Sequence, residues 1–295
     1  MEPGKKDSVG TSIARRQVVV LGHTGTMGPF LCDFLQRRKF RVRGASSREC
    51  NLLVRDGVQT FFRDLEPGFG VVFCSVINRW KEDSFDAMTK NMVMAENVAL
   101  AAGNRCGFLV YLSSVDVYGT SPALPITEWT LPNPRSYYGI GKLASERLLL
   151  RTLGERIPVS VLRLPGVYGA HVQERSTLAH FLRKIRDMER VTIFGDGTVL
   201  RDFVLVDDLC EVVYDLLVRP RALLLNVATG SSLPLIDILR TLGRVLQREP
   251  NLEFGSPDGN SAGNLVFDIS ALQRAISGLR PTSLEVGCRS ILARP

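Results

Sequence analysis

Tyr138 and Lys142 stand four residues apart in the run Tyr138-Gly139-Ile140-Gly141-Lys142, and Ser113-Ser114 lies upstream of them. On a helix, positions i and i+4 share one face. A lysine ammonium there lies beside the phenol of the tyrosine. A free tyrosine has a pKa of about 10, too high for easy proton exchange near neutrality. A neighbouring positive charge favours the phenolate and lowers that value. The tyrosine then serves as general acid or base at a carbinol oxygen, with a serine hydroxyl holding the same oxygen. No side chain supplies hydride, so this chemistry calls for a nicotinamide cofactor.

Something must hold that cofactor, and the N-terminal region offers a candidate. Arg16 to Leu21 is a short β-branched run suited to a buried parallel strand. It leads into Gly22-His23-Thr24-Gly25-Thr26-Met27-Gly28 and then an amphipathic stretch. Strand, glycine-rich turn and helix in that order let the backbone approach a pyrophosphate, with the helix N-terminus facing it. The second strand is expected at Phe40 to Gly44 and is followed by Ala45-Ser46-Ser47-Arg48. The acid that binds a ribose 2′-hydroxyl in NAD-specific folds is missing there. Arg43, Ser47 and Arg48 suit a 2′-phosphate instead, which favours NADP over NAD.

Further elements are expected to build the frame. Glu49 to Leu53 reads as a short third strand, Val54 to Leu65 as a helix and Val71 to Ile77 as a fourth strand. Ser84 to Ala102 has helical spacing, with Asn91 and Asn97 as polar exceptions. Phe108 to Leu112 reads as a fifth strand that presents Ser113-Ser114 at its C-terminal end, where open parallel sheets bind ligands. Pro122 to Ser136 reads as a loop, Tyr137 to Leu153 as the helix carrying Tyr138 and Lys142, and Val159 to Leu164 as a sixth strand. This alternation predicts an α/β fold with a Rossmann-type doubly wound parallel sheet and a smaller C-terminal α/β lobe. In the second half, helices are expected at Thr177–Met188, from Asp207 to Arg219, and at Pro234–Leu246, with the last from Asp268 to Leu279. The expected organisation is a disordered tail over residues 1–16, a cofactor domain over 17–165 with 203–230 returning to it, and a lobe from 166–202 and 231–295.

Bulk composition narrows the classes. The chain has 295 residues, 45% hydrophobic, with a formal charge of +7. Basic residues are interspersed with acidic ones, which suits a solvated surface with sites for a small anion better than nucleic acid. No run reaches the ~18 apolar residues of a membrane span. Six scattered cysteines without Cys/His clusters suggest reduced thiols, a cytoplasmic location and no metal.

Together these motifs resemble the extended short-chain dehydrogenase/reductases, the NAD-dependent epimerase/dehydratase family. The resemblance runs from Gln17 over nearly the whole chain. It is carried by Gly22-x-x-Gly25-x-x-Gly28, Leu112-Ser113-Ser114 to Gly119, Pro125-Ile126-Thr127-Glu128 and Tyr138-x-x-x-Lys142. Leu162-Arg163-Leu164-Pro165-Gly166-Val167-Tyr168-Gly169 and Phe194-Gly195-Asp196-Gly197 leading to Arg201-Asp202-Phe203 extend it. Gly22-His23 and Glu49 to Leu53 are most similar to the GDP-fucose synthase-like 4-ketoreductases.

The resemblance implies an enzyme with Ser114, Tyr138 and Lys142 as catalytic residues, acting on a nucleotide-diphosphate sugar. It implies Gly22, Thr24, Gly25, Thr26, Met27, Gly28, Asn51, Leu52 and Leu164 as cofactor contacts, with Asn51 and Leu52 near the adenine. It implies Arg201 on the nucleotide diphosphate and Asn226 near the substrate. The epimerising cysteine of that branch is replaced by Asp116, an acid/base or a hydrogen-bonding group. Its histidine falls at Ser176 or a neighbour, near His171 and His180. Reduction of a 4-keto sugar is the leading expectation. A 4-epimerase or dehydratase with tightly held NAD is the alternative, and a non-catalytic cofactor-binding scaffold is an alternative of another class. The helices at 84–102 and 137–153 imply a homodimer.

Overall fold

The computed structural model describes residues 16–103, 105–169, 176–256 and 263–293. The expected disordered tail and His171 lie outside the described residues, apart from Arg16. In chain order the elements are β1 (Gln17–Leu21), α1 (Gly28–Arg37), β2 (Arg41–Ala45), α2 (Arg55–Arg63), β3 (Phe69–Phe73), α3 (Phe85–Ala102) and β4 (Cys106–Ser114). A 3-10 turn (Val115–Tyr118) precedes α4 (Tyr137–Leu153), β5 (Val159–Leu164) and β6 (Gly166–Tyr168). Then come α5 (Thr177–Arg186), β7 (Val191–Phe194), β8 (Leu200–Arg201), β9 (Phe203–Leu205), α6 (Val206–Val218) and β10 (Leu223–Asn226). The chain continues through β11 (Leu233–Pro234), α7 (Leu235–Leu246), β12 (Leu252–Gly255), α8 (Ser270–Ala275) and α9 (Leu284–Leu292).

Six strands form one sheet in the order β10-β5-β4-β3-β1-β2. β1 runs parallel to β2 on one side and to β3 on the other, and β3 runs parallel to β4. The chain therefore reverses its direction of winding at β1. Ligands of doubly wound sheets enter at such a switch point, beyond the carboxyl ends of the strands.

The chain divides into two compact units. One comprises residues up to Ser113 with Gly141–Leu162 and Cys210–Leu224. Its core joins Val19, Leu21, Val71 and Phe73 of the sheet to Val58 and Phe62 of α2 and to Ala95 and Val98 of α3. After the half-buried Gln17, β1 is apolar and buried, and β3 is apolar and buried along its length, because both faces of these strands are covered. The second unit comprises Ser114–Ile140, Arg163–Leu209 and the residues from Leu225 onward. There β6 pairs with β9, β8 with β11 and β7 with β12. Leu178 and Ile185 of α5, Ile238 and Leu242 of α7, and Cys288 of α9 close its core.

Two expectations need correction. The run Glu49 to Leu53 is not a strand but a pair of turns. Cys50 N–H donates to Ser46 O at 2.9 Å, and Val54 N–H donates to Asn51 O at 3.0 Å. Local bonds thus take the backbone groups that a ladder would have used. Cys50 and Leu52 are buried all the same, which explains the strand-like pattern. The second correction concerns the C-terminal end. The helix expected to be last shortens to Ser270–Ala275, and α9 (Leu284–Leu292) follows it. Smaller shifts occur elsewhere: β3 stops at Phe73 rather than Ile77, and β4 extends through both serines.

Candidate active site

The glycine-rich turn is shaped by contacts that exclude side chains. Gly22 has φ +88°, and a Cβ there would lie 2.8 Å from Ser75 N. A Cβ on Gly28 would lie 2.3 Å from Gly22 O. The end of β1 therefore lies close against the backbone that follows β3, and the start of α1 close against the backbone of the turn. Gly22 N–H donates to Ala45 O at 2.7 Å, and Gly25 N–H donates to Gly22 O at 2.9 Å, closing the turn. Thr24 and Gly25 at its tip are exposed, and Thr26 and Met27 are partly so. Met27 is the N-cap of α1, and no side chain caps that helix end. A cradle that side chains cannot enter, set at an uncapped helix end, fits a dinucleotide pyrophosphate.

At the end of β2, the His23 ring lies over Gly44, where a Cβ would sit 2.6 Å from His23 Cγ. Ser46 donates its N–H and hydroxyl to one Glu49 carboxylate oxygen, at 2.8 and 2.5 Å. These bonds hold the Glu49 carboxyl below the usual carboxylate range. Ser47 and Arg48 are exposed on this turn. The Arg43 guanidinium lies over the Phe61 ring, 4.2 Å from its centroid. It faces α2 and lines a hollow with Glu49, Asp56 and Asp64.

Two asparagines of α3 fix the loops around this cradle. Asn91 accepts from Ile77 N–H at 2.8 Å and donates to Ile77 O at 2.9 Å. Asn97 donates to Leu52 O at 2.9 Å and accepts from Arg55 Nε at 3.3 Å. They are 7% and 2% exposed, so their amides belong to the fold's interior. Asn91 thus holds the loop after β3, and Asn97 holds the turn that carries Asn51 and Leu52. Their positions as polar residues on an apolar helix were visible in sequence; their partners were not.

The helix α4 carries both Tyr138 and Lys142, four residues apart. Ser136 accepts the Gly139 N–H at 3.0 Å and starts the helix. Lys142 is 3% exposed and donates to Leu112 O at 2.7 Å. Its ammonium also lies 4.8 Å from the Tyr111 ring centroid. One turn further on, Glu146 accepts the Ser113 hydroxyl at 2.5 Å. Ser114 Oγ accepts Asp116 N–H at 3.1 Å and caps the 3-10 turn. A Cβ on Gly139 would lie 2.8 Å from Asp116 O. Only a glycine beside Tyr138 lets the first turn of α4 approach the turn that bears Ser114 and Asp116.

Beyond these, Leu164 ends β5 and is 5% exposed. Arg201 donates to Leu200 O and to Gly263 O, both at 2.8 Å. Asn226 is fully buried and accepts the Tyr118 hydroxyl at 2.7 Å, while its own N–H donates to Glu128. The Arg163 guanidinium lies 4.9 Å from the Tyr118 ring centroid. Ser176 caps α5 by accepting Ala179 N–H at 3.2 Å. The His180 imidazole is held below its ordinary pKa by burial, with Lys184 and Arg183 nearby. Among the described residues no cluster of His, Cys, Asp and Glu could hold a metal, and no helix is long and apolar enough to cross a membrane.

The NAD dependent epimerase/dehydratase family matches residues 18–228, and the chain belongs to that family. The dTDP-L-rhamnose 4-epimerase of Burkholderia thailandensis is 35% identical over 120 residues, 38% of this chain and 33% of that protein. GDP-6-deoxy-D-mannose reductase of Pseudomonas aeruginosa is 33% identical over 161 residues, 51% of this chain and 53% of its own length. Methionine adenosyltransferase 2 subunit beta of Rattus norvegicus is 31% identical over 169 residues, covering 54% of this chain and 49% of that subunit. The matched stretch thus spans about half, or less, of each of these relatives. Among solved structures, RMD of Pseudomonas aeruginosa complexed with NADPH superposes with a TM-score of 0.81 at 24% identity, over 95% of this chain and 97% of that one. The likeness to that structure establishes the α/β fold.

Proposed function

We propose that this protein is an NADPH-dependent reductase that acts at C4 of a nucleotide-diphosphate 4-keto-6-deoxy sugar. The observation that carries the reading is α4, which bears Tyr138 and a buried Lys142 anchored to Leu112 O. Lys142 favours the tyrosine phenolate and binds the nicotinamide ribose. Tyr138 donates the proton to the C4 oxygen. Ser114 uses its oxygen to accept Asp116 N–H, so its hydroxyl proton is free to hold the same C4 oxygen. The bound nicotinamide supplies hydride.

In this reading Gly22, Thr24, Gly25, Thr26, Met27 and Gly28 hold the pyrophosphate. Arg43, Ser47 and Arg48 serve the 2′-phosphate, Asn51 and Leu52 the adenine, and Leu164 the nicotinamide end. Arg48 is an exposed cation on the turn after β2, beside an exposed Glu49 whose carboxylate accepts from Ser46. Arg201 grips the diphosphate. Asp116 is a hydrogen-bonding group of the sugar site, and Asn226 positions it through Tyr118. Exposed Phe85 and Leu100 of α3 and Tyr137 and Ile140 of α4 support a homodimer built on these helices. The GDP-6-deoxy-D-mannose reductase match supports the reductase reading. The match to a dTDP-L-rhamnose 4-epimerase supports a second one, a 4-epimerase that retains NAD.

The test is incubation with NADPH and a panel of GDP-, dTDP-, UDP- and CDP-linked 4-keto sugars, read by loss of NADPH absorbance. The expected result is stoichiometric loss with one nucleotide class, abolished in Tyr138→Phe. Interconversion of C4 epimers without net NADPH loss, with NAD(H) released on denaturation, would replace this reading by the epimerase. Inactivity in both assays, with NADPH still bound, would favour a non-catalytic cofactor-binding scaffold.

A further inference from the structure

Glu146 is a carboxylate at 1% exposure, in a position that the roles above do not use. Burying such a group is costly unless it is hydrogen-bonded and its charge compensated. Its hydrogen bond comes from Ser113 at 2.5 Å, the length of a charge-assisted O–H···O⁻ bond. The cation placed to compensate it is Lys142, four residues earlier on α4, since side chains so spaced share one face. Lys142 is itself 3% exposed.

The partners of the two side chains are consecutive. Lys142 donates to the carbonyl of Leu112, and Glu146 accepts from the side chain of Ser113, the next residue of β4. Two neighbouring turns of α4 are thereby tied to two neighbouring residues of β4. The residue after Ser113 is Ser114. Sliding α4 along the strand would break both ties together, so the ammonium has one stable position.

We propose that Glu146 is a positioning residue for the catalytic Lys142. By clamping Ser113, it fixes the stretch that supplies Lys142 with its acceptor carbonyl and leads into Ser114. Its negative charge keeps a buried ammonium at that place. This inference rests on the Tyr138–Lys142 reading of the site.

The test uses the full chain and three variants, Glu146→Gln, Ser113→Ala and Lys142→Ala. Gln can still accept from Ser113 but carries no charge; Ser113→Ala keeps the charge and removes the bond. Glu146→Gln is expected to lower kcat by about tenfold to a hundredfold, as displacement of a reacting group does, with KM for the nucleotide sugar changed less than about threefold. Ser113→Ala should lower kcat in the same direction. A second readout needs no substrate. Lys142→Ala should change the fluorescence of NADPH bound at saturation, and Glu146→Gln should change it in the same direction. If wild type binds NADPH but reduces no sugar, the substrate reading fails, while the fluorescence comparison still decides the role of Glu146. Thermal unfolding separates a stability effect. A Glu146→Gln protein with a lowered Tm, but with wild-type kcat and wild-type NADPH fluorescence in its folded fraction, would overturn the proposal.

Discussion

Gly22 shows how much one residue determines at the cofactor cradle. Its φ of +88° is open to glycine and strained for any other residue, and its missing Cβ leaves room for Ser75 N, 2.8 Å from where that atom would be. Gly22→Ala therefore meets both a backbone penalty and a backbone clash. The expected cost is about 1–3 kcal/mol of stability, with weakened NADPH binding. Urea unfolding and a cofactor titration measure both. Wild-type values in each would mean that the turn adopts another conformation. The type and spacing of this glycine were readable in the chain, as were those of Tyr138 and Lys142. The Ser113–Glu146 bond was not, because it joins residues 33 positions apart in sequence.

Elements were legible where periodicity and burial agree. The helix at 137–153 and the strand at 159–164 have the bounds expected from the pattern. The run at 49–53 misled because Cys50 and Leu52 are buried in turns, with Leu52 O held by the Asn97 amide, rather than in a ladder. The short strands of the second unit pair over two to four residues, too few for alternation to register. One of their connections depends on Asp202, which lies between β8 and β9 and is 3% exposed. It accepts Thr229 N–H at 3.1 Å, the Thr229 hydroxyl at 2.9 Å and Gly230 N–H at 3.1 Å. Burial pushes its pKa above 3.8, against the lowering effect of those bonds. A carboxyl raised on folding binds protons more readily in the native state. Its contribution to stability is then greatest below 3.8 and is lost as pH rises through the folded value. Asp202→Asn removes that titration. It should cost about 1–3 kcal/mol near neutrality through mismatched donors, and more at acidic pH. Urea unfolding of both proteins at the two pH values measures the difference. A cost that shrinks on acidification would show that the native state holds this carboxyl below its unfolded value.

At the scale of the whole chain, the cysteines offer a check on the interior of both units at once. All six are free, and Cys50, Cys106, Cys210 and Cys288 are buried while Cys32 and Cys74 are partly so. Desolvation pushes Cys32 and Cys50 up to about 11, and Cys74, Cys106 and Cys288 up to about 12. Lys142 and a backbone hydrogen bond draw Cys74 back only in part. The thiolate is the reacting species, and a thiol at about 11 is thiolate to about one part in a thousand at pH 8. The folded protein should therefore react with a disulfide reagent at least about a hundredfold more slowly than the chain in denaturant, where a thiol returns to about 8.5. Denatured protein should titrate all six. A burst of one equivalent from the native protein at pH 8, assigned by peptide mapping, would identify the cysteine whose surroundings open in solution. A burst at Cys74 would carry the most weight, since its sulfur donates to Leu21 O at 2.8 Å where β1 enters the glycine turn. Opening there would loosen the cradle itself, and saturating NADPH should then suppress the burst by mass action.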